Sequence, residues 1–375
     1  MSDNYPSMCI LPNPPRFERG KWRDIDALCA NLAYLGKTVD SAAVESAAAA
    51  SSLFDFQYSE RWSDDAAASA CSGDVLREAC EAMGYSASWL VPDSFEEAWD
   101  AIRGRIVAGQ PVIAGGIVPG KHRETCRCAH YSLVVGYDDE GDAPQVAVVG
   151  WEPGGAVTWT KLPSLRGEAN NWHARVRSLA VAPDVWASRP LLMLNGQIGE
   201  PRADTPDLAR DNLRRCVEYA TSESGPVGHW RLWPGIRGMK AWGRDVADYE
   251  AAMEREPPEE RGFPLTNISL GLSHCLEQRR GAFARHLRDI RHLFPRDVKT
   301  RLAEAAGHCE KQAALMASFR ELLFGAYGTW AEQQELGQQR LCDVAVRASA
   351  FAVLCQVVGE EQALVEALAS AADGG

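Results

Sequence analysis

Positive charge is scarce in this sequence. Lys and Arg number 39 against 51 Asp and Glu, a formal net charge of -12 over 375 residues. That excludes the broad basic surface on which non-specific nucleic-acid binding rests. It also excludes an anionic membrane surface as partner. No apolar run approaches the length of a membrane-spanning helix, so no membrane span is expected. Met1 to Pro15 lack a basic segment followed by an apolar core, so no secretory signal is expected either. Internal repeats are absent. The 11 cysteines are odd in number and scattered, and Cys216, Cys342 and Cys355 fall within helical patterns. They read as mostly reduced, buried thiols of a cytoplasmic protein.

What is present is ample apolar material, 46% of residues, in a length that favours two domains. Residues 1–20 are proline-rich, polar and extended. Ile25, Leu28, Leu32 and Leu35 fall at helical spacing between Asp24 or Asp26 and Gly36, which predicts a central helix. Further helices are expected over 40–51, 74–83 and 94–108. Pro111-Val112-Ile113-Ala114 reads as a short buried strand, and Tyr131–Tyr137 with Val146–Val149 as a hairpin around an acidic turn. Val157–Thr160 and Arg175–Val181 complete the expected sheet.

Four prolines interrupt 183–206, and the pattern beyond is helical almost to the end. Thr205-Pro206 reads as an N-cap followed by an N1 proline. The expected domains are therefore 1–184, of mixed α+β type, a linker over 185–204, and a helical bundle over 205–372. Arg279, Arg280, Arg285, Arg288 and Arg291 predict a basic, solvated helix face that an acidic partner could dock against.

Chemistry concentrates around Cys126-Arg127-Cys128-Ala129-His130, a polar loop running into a buried strand. A thiol at the start of an early helix, a histidine opening a later strand and an acid after the next strand form a nucleophile–base–orienter set. His130 and Glu152 fit the base and the orienting acid.

The same segments carry a resemblance. Phe17-Glu18-Arg19-Gly20-Lys21-Trp22-Arg23, Asn31-Leu32-Ala33-Tyr34-Leu35-Gly36, Gly109-Gln110-Pro111-Val112-Ile113 and His130-Tyr131-Ser132-Leu133-Val134-Val135-Gly136-Tyr137-Asp138 resemble acyltransferases of the butirosin biosynthesis protein H type. In the helical half, 235–245 and 280–287 resemble the family's partner domain. The N-terminal half is also similar to papain-like peptidases that process double-glycine leaders. The resemblance implies a papain-like (cysteine-peptidase-like) domain followed by an all-α domain. It also implies acyl transfer from an acyl or aminoacyl carrier protein, with His130 as base and Glu152 as its orienting acid.

The sequence departs from that pattern where it matters chemically. The family's His-Cys pair is replaced by Trp22-Arg23. A guanidinium stays protonated and cannot form an acyl intermediate. Three readings stay open. Cys126 and Cys128 share alternation with His130, so either thiol is a substitute nucleophile if the strand extends backward. A zinc version adds His122, although no metal is expected at the site. In the second reading Trp22, Arg23 and Asp24 contact the substrate without a covalent step. Arg23 binds an anionic group at the helix start while His130, Glu152 or Asp24 moves protons. In the third, Cys9 in a flexible arm moves in, or Cys29 does, although Cys29 reads as core. The functions expected are a biosynthetic enzyme acting by acyl transfer or non-covalent cyclisation, or an inactive relative supporting a partner enzyme. No cofactor is expected.

Overall fold

The computed structural model describes residues 5–16, 23–59, 68–69, 75–90, 95–115, 131–140, 143–150, 152–161, 191–197, 199–200, 202, 205–222, 232–255 and 265–374. In chain order the elements are β1 Met8–Ile10, α1 Arg23–Tyr34, α2 Ser41–Ala47, a π-helical turn Ala50–Phe54, β2 Gln57–Ser59, β3 Ala68–Ser69, α3 Val75–Ala82 and β4 Tyr85–Leu90. There follow α4 Phe95–Val107, β5 Val112–Gly115, β6 Tyr131–Asp138, β7 Gln145–Val149, β8 Thr158–Lys161 and β9 Leu191–Gln197. The remainder is α5 Pro206–Thr221, β10 Leu232–Pro234, α6 Gly235–Ala247, α7 Tyr249–Glu254, α8 Leu265–Asp289, α9 Arg296–Phe324, α10 Trp330–Leu341 and α11 Val344–Asp373. The class is α+β.

The chain divides into two compact units, Met1–Glu45 with Leu76–Pro201, and Ser46–Val75 with Arg202–Gly375. This differs from the expected boundaries in two places. Residues 46–75 belong with the helical unit, because Ala49, Ala50, Leu53 and Phe54 are buried in its core. The expected linker over 185–204 contains β9, an inner strand of the sheet. There Leu191-Leu192-Met193-Leu194 is apolar enough to pair with β4 and β5 despite flanking prolines. The strand expected over 175–181 lies outside the described residues.

The first unit is built on an antiparallel sheet of order β4-β9-β5-β6-β7-β8. One edge of β6 is shared by two strands. β5 pairs with Tyr131–Val134 and β1 with Gly136–Asp138. Leu133, Val134 and Val135 are all fully buried, so both faces of β6 are covered and its sequence runs apolar without alternation. At Gly136 a Cβ would lie 2.9 Å from the Cys9 carbonyl oxygen, so only glycine lets β1 approach there. Helix α1 buries Ile25, Leu28 and Leu32 on the face packed against β5 and β6. Helix α4 is clamped to the far end of β6. Trp99 Nε1 donates to Asp139 at 2.8 Å and Arg103 pairs with the same carboxylate at 2.9 Å.

The second unit is a helical bundle with a small sheet of order β10-β2-β3. Thr205 caps α5 by accepting from Leu208 N, and Pro206 occupies N1 as expected. Gly235 has φ +48°, and a Cβ there would sit 2.4 Å from the Ala220 carbonyl oxygen, so the turn from β10 into α6 requires glycine.

The polar centre of this unit is Arg280. Its side chain is 1% exposed and makes a two-pronged ion pair with Glu361 at 2.8 and 3.0 Å. Nε donates to Gln312 Oε1 at 2.8 Å, and Gln312 Nε2 donates to Glu361 at 2.6 Å. Nη1 donates to the Phe54 carbonyl at 2.6 Å, and the guanidinium lies 4.4 Å from the centre of the Phe54 ring. The widened π-helical turn presents that carbonyl to the guanidinium. Arg279 and Arg280 thus belong to the core, which corrects the basic face expected of them. Burial leaves the guanidinium no choice but a full set of acceptors, and α9, α11 and the 50–54 turn supply them.

Helix α11 also corrects the expectation of no long apolar run. It has 30 residues and a mean hydropathy of 1.2 over its most apolar stretch, enough to cross a membrane by length and composition alone. It packs against α9, α6 and α5, and Glu361 lies on its inner face.

His286 is buried beside Phe283, with Ser46 Oγ 2.8 Å from Nδ1 and Nε2 without a partner among the described residues. Burial pushes its pKa down from 6.5 to about 4.

Two outcomes follow from this unit. Glu361→Ala strands the buried Arg280 charge and is expected to cost about 3–5 kcal/mol, read as a drop in the urea midpoint. Arg280→Met combined with Glu361→Leu is expected to cost clearly less than Glu361→Ala. The second outcome concerns acid. The unfolded chain protonates His286 near 6.5, whereas the folded chain resists until about 4. Its contribution is therefore whole above 6.5 and is lost as pH falls through this interval, by about 3 kcal/mol in all. His286→Leu should flatten that slope in stability measured against pH.

Candidate functional site

The sheet register defines two ends. Val112 pairs with Val134 and Gly115 with Tyr131, while Leu133 pairs with Val149. One end therefore gathers the finish of β5, the start of β6 and the finish of β7. Ile113 pairs with Leu192, and Tyr85 with Gln197 five residues further along β9, so Tyr85 marks the opposite end.

Helix α1 has its C-terminus at the Tyr85 end. Lys37 Nζ donates to the Met83 carbonyl at 3.1 Å and lies 5.2 Å from the centre of the Tyr85 ring. Further back, the fully buried Asn31 donates to the Pro111 carbonyl at 3.4 Å, just ahead of β5. The helix therefore runs alongside β6 in the same direction. Its first turn, with the backbone of Arg23 and Asp24, lies toward the end where β6 begins. The positive end of the helix dipole is directed there.

Glu152 lies at the same end. It follows β7 by three residues, after Gly150 with φ +91°, and opens a short 3-10 turn over Pro153–Gly155. Its side chain is half-buried, and its carbonyl accepts from Gly155 N at 3.0 Å. Trp22, Cys126, Cys128 and His130 lie outside the described residues, as does His122. His130 is the residue directly before β6. The backbone thus brings positions 23, 24 and 152 to one end of the sheet, where β5 ends and β6 begins. Chemically, that end combines a helix start suited to an anion with a half-buried carboxylate suited to orienting an imidazole or moving a proton. Among the described residues, no group of three or more His, Cys, Asp or Glu is placed to hold a metal ion.

The two distant cysteines are placed differently from expectation. Cys9 is held in β1 opposite Tyr137, and is not in a free arm. Cys29 lines an open groove of about 620 Å³ together with Asn13, Arg16, Asp26 and Tyr34, and is only half-buried. Its thiol is pushed up to about 12, first by burial and then by Asp26, Asp40 and Glu45. A thiol so protonated is a poor nucleophile at neutral pH. The groove itself was not legible in the sequence. Its nearest signal is Pro12-Asn13-Pro14-Pro15, where Asn13 adopts φ +48°.

Comparison with family models and with curated proteins finds no match for this chain.

The Cys29 environment has a direct consequence. At pH 8 its alkylation by iodoacetamide should run about a thousandfold slower than that of an unperturbed exposed thiol. Peptide mapping over a time course should show Cys342 and Cys355, both exposed, modified first. Equal rates at the three sites would contradict the thiol's placement.

Proposed function

We propose that the first unit is a papain-like domain whose cleft opens at the end of the sheet where β6 begins. In this reading the protein acts in natural-product biosynthesis on an acyl or aminoacyl group borne by a carrier protein. The observation that supports it is the direction of α1. The helix starts at the end of the sheet where β6 starts and β7 stops, the arrangement that a nucleophile–base–orienter set needs. Elements distant in sequence bring positions 23 and 152 toward that end, and His130 directly precedes β6 in the sequence.

Arginine at position 23 directs the chemistry away from an acyl-enzyme. At a helix start it binds a carboxylate, phosphate or thioester oxygen, holding the substrate by charge and by a forked pair of donors. His130, its ring oriented by Glu152, takes the proton of an attacking group within the substrate as that group closes on the thioester carbonyl, and returns it to the carrier's thiolate as the C–S bond breaks. Cys126 and Cys128 are the residues through which a covalent route would run instead.

Arg23 also favours a second reading. A cleft that has lost its nucleophile can persist as a binding surface, and the protein would then support a partner biosynthetic enzyme without turning over substrate.

The test uses the full chain and an acylated carrier protein. Release of the acyl group, followed by mass spectrometry of the carrier, should fall at least a hundredfold in His130→Ala and in Arg23→Ala. No acyl mass should appear on the protein itself. An acyl adduct on Cys126 or Cys128 would establish the covalent route. No release by the wild-type chain would leave only the supporting role, and full activity in His130→Ala would sink the role given to His130.

A further inference from the structure

Helix α11 carries an outward face that the bundle covers only in part, through Phe351 on Gly243 and through Val358. Only 33% of its most apolar 18-residue window is buried. Val344 is 69% exposed and Phe351 37%, and Ala348, Cys355 and Gln362 are exposed as well. Val344, Phe351 and the half-buried Val358 recur every seven residues, and so do Ala348, Cys355 and Gln362. The two rows, four and three residues apart, have the spacing of a coiled-coil seam.

The face is also neutral. Between Val344 and Gly359 the one charged residue is Arg347, which is turned inward onto Glu250. On a chain of net charge -12, identical copies repel unless they meet where charge is absent. Any basic partner would find no acidic group here to pair with. The face therefore suits a second copy of itself better than a charged partner.

We propose that α11 pairs with α11 of a second copy, antiparallel about a two-fold axis level with Val353. Antiparallel seams set one row against the other. In that register Phe351 meets Cys355 of the partner subunit, and Ala348 meets Val358 of the partner subunit, so each large side chain faces a smaller one. The face spans about 27 Å of helix at 1.5 Å per residue. Two such faces bury on the order of 700 Å², which makes the dimer weak and reversible.

Sedimentation velocity on the intact chain from about 1 to 200 µM tests this. The weight-average mass should climb from 41.0 kDa toward twice that value. Ala348→Glu and Phe351→Glu should each raise the dissociation constant at least tenfold, with an unchanged far-ultraviolet circular dichroism spectrum. Ala348→Glu keeps the test decisive if Phe351→Glu, which removes the ring packed on Gly243, disturbs the fold. The proposal fails if the wild type stays at 41.0 kDa throughout or if the Glu variants associate equally well. It also fails if the wild type floats with phosphatidylcholine vesicles and Phe351→Glu does not, which would assign the face to lipid.

Discussion

Strand β6 is held at a single register by three neighbours at once, and the first unit is arranged around that constraint. β5 and β1 divide one edge between them, and β7 takes the other. With Leu133, Val134 and Val135 buried on both faces, a slip by one residue would exchange the contacts of both packed layers. Gly136 adds a second lock, since the Cys9 carbonyl can lie close only against a residue without a Cβ. A register so determined sets what lies at the strand's ends. One end receives the Trp99–Arg103–Asp139 clamp and is structural. The other receives the start of α1 and the finish of β7, where β6 begins.

The helical unit achieves its specificity by other means. Its large apolar clusters would tolerate many arrangements of similar volume. Arg280 removes that freedom, because a buried guanidinium is tolerated only where Glu361, Gln312 and the Phe54 carbonyl coincide. Since Phe54 lies in the 46–75 segment, the same contact draws this stretch into the helical unit. Segment and bundle are thus joined by polar geometry as well as by burial.

Periodicity and turn chemistry made much of this legible. The helical spacing of Ile25, Leu28 and Leu32 located α1, the apolar run 131–137 located β6, and Thr205-Pro206 located the start of α5. What escaped was whatever depends on distant partners. β9 lies between prolines and gains its place from pairing with β4 and β5. β4 alternates only over the short stretch Tyr85-Ser86-Ala87-Ser88-Trp89, and α11 hides its length behind Arg347 and its glutamates. Arg280 looked like a surface residue because a charge declares nothing about the acceptors that bury it. At the candidate site, Glu152 stands after β7 at the end of the sheet toward which α1 begins, as the spacing implied. The role of Arg23 was readable only as a departure from the residue that a family resemblance leads one to expect.

The proposed function rests on the start of α1 meeting His130, the residue that directly precedes β6 in the sequence. An Arg23→Cys variant measures that meeting directly, through the thiolate absorbance near 240 nm titrated against the parent chain. A thiol at a helix start beside an imidazolium should ionise between about 3.5 and 7.5, below the ordinary 8.5. Adding His130→Ala should return most of that shift. A thiol that titrates at or above about 8.5, unchanged when His130 is removed, would contradict the account.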